Sequence, residues 1–322
     1  MRHHYVPRFY LQLFVDPNVP LIETDYVWEC HLRTGGIKRR APTNVATKTD
    51  YYKIPGVPDE LAQTVEASFS QMESVTAPIL RRFEKGDLTL EGQQRADFLF
   101  FLAFLAVRVP GFRNRIEGMY EEMAKEMATM SASHREHFVE TMKRALAHAG
   151  KPIPSDDEIE KQRQWTLNPD NYTIEANPVL SIMHGHQLAL ELIYPIFDGM
   201  RWSFYKAPDG VEFITTDCPV SWYDPTPRPA FYSGHGLGMR GVEVTFPINP
   251  RTTLLGTHEG PGGVHDASVD QVLLFNLRKL YWTEEHAYAA SESAARQARA
   301  LVMFNAMAEA RQDFAKEPNP TS

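Results

Sequence analysis

The sequence predicts an α+β fold: a mostly helical single domain with a small mixed or antiparallel sheet built from N-terminal and C-terminal strands. Three observations carry this. Segments rich in β-branched and aromatic residues lie before residue 54 and after residue 199. Between them, apolar residues recur every three or four positions, the spacing of a helix face. Strand and helix patterns are segregated rather than alternating, which argues against a parallel α/β sheet.

The elements follow in order. To Ile54 the chain reads as extended segments and loops. Thr24 to Leu32 (TDYVWECHL) has strand composition, and Gly35–Gly36 suits a tight turn into a return strand with Lys38, Arg39 and Arg40. From Asp59, an N-cap residue type, Leu61, Val65, Phe69, Met72, Val75, Ile79 and Phe83 share one helix face. A second helix starts near Thr89, runs through Phe98 to Val107 and breaks at Pro110; a third runs from Phe112 to Met130. Ser133 to Ala149 and Ser155 to Trp165 are polar helices, the latter with capping-box spacing between Ser155 and Glu158. Residues 131–170 are expected as a peripheral polar helical lobe within the single domain, 1–322. Pro178 to Met200 is an apolar helix whose last turn Pro195 disturbs. Strand, an Asp209-Gly210 turn and a return strand through Val211 to Thr215 come next. Ser221 to Gly241 reads as a long Pro- and Gly-rich loop. Two more strands, a helix over Asp266 to Leu280, a short strand and a helix over Ala294 to Phe314 complete the chain, leaving a loose polar tail.

Composition narrows the function classes. The 322 residues are 43% hydrophobic, enough for a full core. No apolar run approaches the roughly 18 residues of a membrane span, and the N-terminus lacks the smooth apolar stretch of a signal peptide. Cys30 and Cys218 match no zinc pattern, so a reducing cytoplasm is the expected compartment. A net charge of −8 with no long basic run argues against broad DNA binding but leaves room for a small basic pocket. Nucleophile-elbow, kinase, GxGxxG, HExxH and P-loop patterns are missing from the sequence. His184-x-His186 has the wrong spacing for two ligands on one helix face. His258 to Asp266 (HEGPGGVHD), two histidines with Glu259 and Asp266 in a Gly-rich loop, offers groups for a metal or phosphate but reads first as a flexible connector.

Several stretches together resemble the DUF4238 family, a domain of unknown function. The opening HHYVPRFYL is similar to its histidine-rich start, and TNVATKTDYY resembles its second stretch. The helix carrying Glu66 and Glu73 resembles its paired-glutamate helix; Arg108, Pro110 and Arg113 fall on its Arg-x-Pro helix. TTDCPV, VEVTFPINP and the segment from Asn276 through EEHAYAAS resemble its later motifs, with Thr216 where Ser is commoner. The likeness runs from His3 to about Ser291. It implies one α+β unit and no established activity.

The residues themselves suggest a chemistry. His3 and His4, stiffened by Pro7, are candidates for a catalytic acid and base, because imidazole both gives and takes a proton near neutral pH. Arg8 is a candidate phosphate fork. Asp217, at a strand end, is a third candidate catalytic residue, with Tyr10, Arg108 and Thr216 as substrate-positioning groups. The bland alternative makes Phe9, Tyr10 and Phe14 core anchors, Asp217 a turn cap, and Arg108 the partner of Glu73 or Glu66. The expected function is phosphodiester cleavage, with RNA or a small phosphorylated ligand as partner and no metal site or cofactor assigned. The alternatives are a non-catalytic binding or regulatory protein of a bacterial defence or toxin system, using the 221–241 loop as its contact surface, and a metal-dependent hydrolase.

Overall fold

The computed structural model describes residues 2–19, 24–52, 59–226 and 236–316, the side chains of 59–66 and 305–316 excepted. The fold is α+β. The chain divides into two compact units, 1–112 with 184–322, and 113–183. The polar lobe expected over 131–170 falls inside the second of these. Lys53 to Pro58, the centre of the 221–241 loop and the tail from Glu317 lie outside the described residues, as do the side chains of Leu61, Val65 and Glu66.

The N-terminal part holds β1 (Arg2–His4), α1 (Arg8–Leu11), β2 (Val27–His31), β3 (Ile37–Arg40) and β4 (Thr47–Thr49). Gly35 closes the β2–β3 hairpin at φ +68°, a conformation that glycine adopts without strain. Two long helices follow, α2 (Asp59–Glu84) and α3 (Gly92–Arg108). Phe69, Ile79 and Phe83 of α2 are buried as the spacing predicts, but Val75 is exposed and Thr76 takes the inward position. Helix α3 is buried over its whole second half, as a helix apolar all round must be. Phe98 meets Phe83 on one side and Phe246 on the other. Val109 is extended ahead of Pro110, whose ring excludes the helical conformation there.

Pro110 then opens α4 (Pro110–Ser133), followed by α5 (Arg135–His148) and α6 (Asp156–Thr166). Ser155 and Glu158 form the capping box that their spacing predicts. Helix α7 (Pro178–Leu188) passes through a π-helical turn at Ala189–Ile193 into α8 (Tyr194–Gly199). The widened turn directly precedes Pro195, which offers no N–H and whose ring crowds the carbonyl four residues back.

The remaining elements are β5 (Arg201–Lys206), β6 (Thr215–Thr216), β7 (Ser221–Tyr223), β8 (Glu243–Asn249), β9 (Thr252–Thr257), β10 (Gly263–Asp266), α9 (Val269–Tyr281), β11 (His286–Ala289) and α10 (Glu292–Lys316). Among the described residues the strands form three sheets: β1–β4, β10-β5-β9-β8-β7 and β3-β2-β11-β6. The last joins N-terminal to C-terminal strands.

Three local expectations are corrected. The segment after Asp209-Gly210 does not pair back on β5. Arg251 binds the carbonyls of Ala207, Pro208 and Val211. Phe213 N–H goes to Pro250 O and Ile214 N–H to Asn276 Oδ1, so the backbone donors are already spent. Ser221–Tyr223, expected in loop, is a strand on β8. Gly263–Asp266, read as connector, is a strand parallel to β5.

Candidate functional site

Period-two alternation gives the β3-β2-β11-β6 sheet two unlike faces. Trp28, Cys30, Ile37, Ala287 and Ala289 pack with Ala294, Ala295 and Ala298 of α10. The intervening residues point the other way: Glu29 and His31 on β2, Lys38 and Arg40 on β3, His286 and Tyr288 on β11. They line a cleft of about 400 Å³, closed on its far side by Arg2, Tyr5 and the Asn44 to Lys48 stretch.

Register sets the contacts. His31 stands opposite His286, and Glu29 opposite both Tyr288 and Lys38. The two imidazole rings meet edge to face, 4.9 Å between centroids. Nδ1 of His286 lies 3.7 Å from the Glu285 carboxylate. Arg2 is held by Thr47 Oγ1 at 2.8 Å and by Asn44, and Arg40 leans on Glu29 at 3.7 Å. Lys38 and Lys48 are exposed. Four cationic side chains thus face two carboxylates, in a chain of net charge −8. Burial pushes the Tyr5 and Tyr288 hydroxyls above their ordinary pKa, so both stay protonated donors. Ala46, at φ +50°, is a strained non-glycine residue whose carbonyl accepts the Tyr5 N–H.

The structure places the residues expected to act elsewhere. Among the described residues that line the cleft there is none of His3, His4, Arg8, Tyr10, Arg108, Thr216 or Asp217. His3 packs on the Tyr52 ring at 5.4 Å. His4 is half-buried, with Nε2 3.2 Å from Pro42 O. Arg8 is exposed on α1. Tyr10 is fully buried, stacks on Phe246, donates to Pro247 O and accepts from Thr215 Oγ1, both at 2.7 Å; it is a core anchor. Thr216 is fully buried and accepts the Cys218 N–H in a local turn. Asp217, 2% exposed, accepts three backbone N–H groups, from Glu284 at 3.0 Å and from Glu285 and His286 at 2.7 and 2.9 Å. Burial pushes its carboxyl up to about 6, while those donors and His286 pull it down. Arg108 pairs with Glu73 at 2.9 Å and donates to His4 O at 2.8 Å. These groups build the frame of the cleft. Asp217 holds the turn into His286, and Arg108 holds the strand that carries Arg2 and leads to Tyr5.

Burial also pushes the His4 imidazole below its ordinary value. The folded chain therefore favours the neutral ring, and this contribution is lost as pH falls from the ordinary value through the depressed one. His4→Gln keeps a donor for Pro42 O and is expected to unfold at lower pH than the native chain. Circular dichroism between about pH 7 and pH 4 checks this, and coincident curves would refute it.

A family model described as "Protein of unknown function (DUF4238)" matches residues 2–310. The chain belongs to the DUF4238 family. No curated protein and no solved structure matches it. Four of the stretches that resemble the family meet at or under the cleft: the opening with Tyr5, the Asn44 to Lys48 loop, the turn at Asp217, and His286 to Tyr288. No helix among the described residues is long and apolar enough to cross a membrane. Among the same residues no three His, Cys, Asp or Glu side chains are placed to hold a metal ion.

The residues that sequence reasoning missed are His31, His286 and Glu285. The signal for His31 was present, since Glu29 and His31 alternate with Trp28 and Cys30. The signal for His286 was weaker, because only strand pairing between the two ends of the chain brings it beside His31.

Proposed function

We propose that the protein is an RNA-directed phosphodiesterase whose acid–base pair is His31 and His286 rather than His3 and His4. One observation carries the reading: two imidazoles in contact inside a cleft whose cations outnumber its carboxylates. The chemistry balances without a further reactant. One histidine takes the proton of a ribose 2′-hydroxyl, and the 2′-oxygen forms a bond to phosphorus. The bond to the 5′-oxygen breaks, and that oxygen takes its proton from the other histidine. The products are a 2′,3′-cyclic phosphate and a 5′-hydroxyl. The Glu285 carboxylate stands beside His286 and offsets the charge of an imidazolium there, so His286 is assigned the acid and His31 the base. Lys38, Lys48, Arg2 and Arg40 offset the charge that develops on the phosphoryl oxygens.

Binding tests the reading before any catalysis is measured. Lys38 and Lys48 are exposed, so Lys38→Glu with Lys48→Glu should leave the fold intact. Fluorescence anisotropy with a short single-stranded RNA is expected to show a loss of about tenfold or more at low salt. The slope of log K against log salt should fall by about 1.4, at roughly 0.7 per lost contact. Unchanged affinity, or no binding by the native chain, would sink the proposal.

A further inference from the structure

A second cavity, of about 460 Å³, opens between α2, α3 and the end of α7 in the larger unit. This volume is within the range of small-molecule sites. Its wall is made largely of rings. Phe100 and Phe104 lie 4.8 Å apart, Phe69 is 6.4 Å from Phe104, and His186 is 5.6 to 5.7 Å from both Phe69 and Phe104. Met72 adds a soft, adaptable surface. The α3 residues Asp97, Phe100 and Phe104 step along one helix face, so the slot extends about 10 Å from carboxylate to ring.

Asp97 is the one carboxylate among the described residues lining this cavity, and they include no Lys or Arg. It accepts Gln93 Nε2 at 2.8 Å, which leaves most of the acceptor capacity of a carboxylate unused. The neighbouring cation, Arg95, is bound to Asp198 instead. The electrostatics therefore point one way. Aromatic faces carry negative potential and attract cations, and the carboxylate adds a full charge at one end. One of these rings already receives a cation, since the Arg108 guanidinium sits 4.7 Å from the Phe69 centroid. The π-helical turn at Ala189–Ile193 follows His186 closely, and such turns recur at binding sites.

We infer that this cavity is a binding site for a small organic cation with a flat apolar body, its ammonium group on Asp97 and its ring among Phe69, Phe100 and Phe104. The site is separate from the basic cleft and stands whether or not that cleft cleaves RNA.

Three indoles that differ only at the end of the side chain test it: tryptamine, tryptophol and indole-3-acetate, titrated calorimetrically into the full chain. Tryptamine should bind about tenfold tighter than tryptophol, and indole-3-acetate more weakly than either. Asp97→Asn should bring tryptamine down to about the affinity of tryptophol for the native chain. Val75→Trp, at the exposed mouth, should block both. Equal binding of tryptamine and tryptophol to the native chain, or no binding of any of the three, overturns the inference. That comparison uses no variant, so it decides the question even if a substitution unfolds the chain.

Discussion

Asp217→Ala is expected to lower stability by about 3 kcal/mol, because it strands three part-buried backbone N–H groups at once. Against a total of about 5–15 kcal/mol for a typical domain, that is a large fraction of the stability. Asp217→Asn should lie between Asp217→Ala and the native chain, since one carbonyl oxygen still accepts while the amide N–H₂ meets donors. The pH dependence supplies a second readout. Burial holds this carboxyl at about 6, above the ordinary carboxylate value. Its contribution is therefore greatest below the ordinary value and declines as pH rises through 6. Urea titrations of the native chain and of Asp217→Asn should show that slope in the first and not in the second. Equal midpoints at neutral pH would mean that Asp217 does not hold the turn. The same experiment distinguishes a frame residue from a catalytic one: a catalytic Asp217 would leave stability nearly unchanged when replaced.

His31→Gln and His286→Gln are expected to lower RNA cleavage by about 10²–10⁴-fold each, the usual worth of a positioned acid or base. Both rings are only partly buried, so melting temperatures should barely move. The double variant should lose little more than either single one, because acid and base act in one step. His3→Gln gives the contrast. His3 packs on Tyr52 away from the cleft, and its replacement should leave the cleavage rate within a few-fold. If His3→Gln instead abolished cleavage with the fold intact, the acid–base pair would belong at the N-terminus and not on the sheet.

Most of the helices were legible because their signals are local. Ser155 and Glu158 announce their capping box, Pro110 ends one helix and opens the next, and the apolar run of α3 requires burial of most of its surface. The β2–β3 hairpin was legible for the same reason, through Gly35. What local signals could not carry is partnership between distant segments. The strand expected after Asp209-Gly210 failed because Arg251 and Asn276, far along the chain, take its hydrogen-bonding groups. The candidate cleft differs from the expected one for the same reason. A dense run of histidines marks the opening, yet it is Arg2 and Tyr5, not His3 and His4, that line the cleft. The cation expected to find a carboxylate, Arg108, does find Glu73, and the pairing leaves it a structural part. His31 became a candidate only when β11 laid His286 beside it.

Cleavage of RNA by His31 and His286 is checked by incubating the native chain with a short oligoribonucleotide in excess EDTA and identifying the ends of any fragments by mass spectrometry. Metal-independent fragments ending in 2′,3′-cyclic phosphate, absent with His286→Gln, are the predicted result. An intact oligonucleotide, or fragments formed equally by the native chain and the His286→Gln variant, would contradict it.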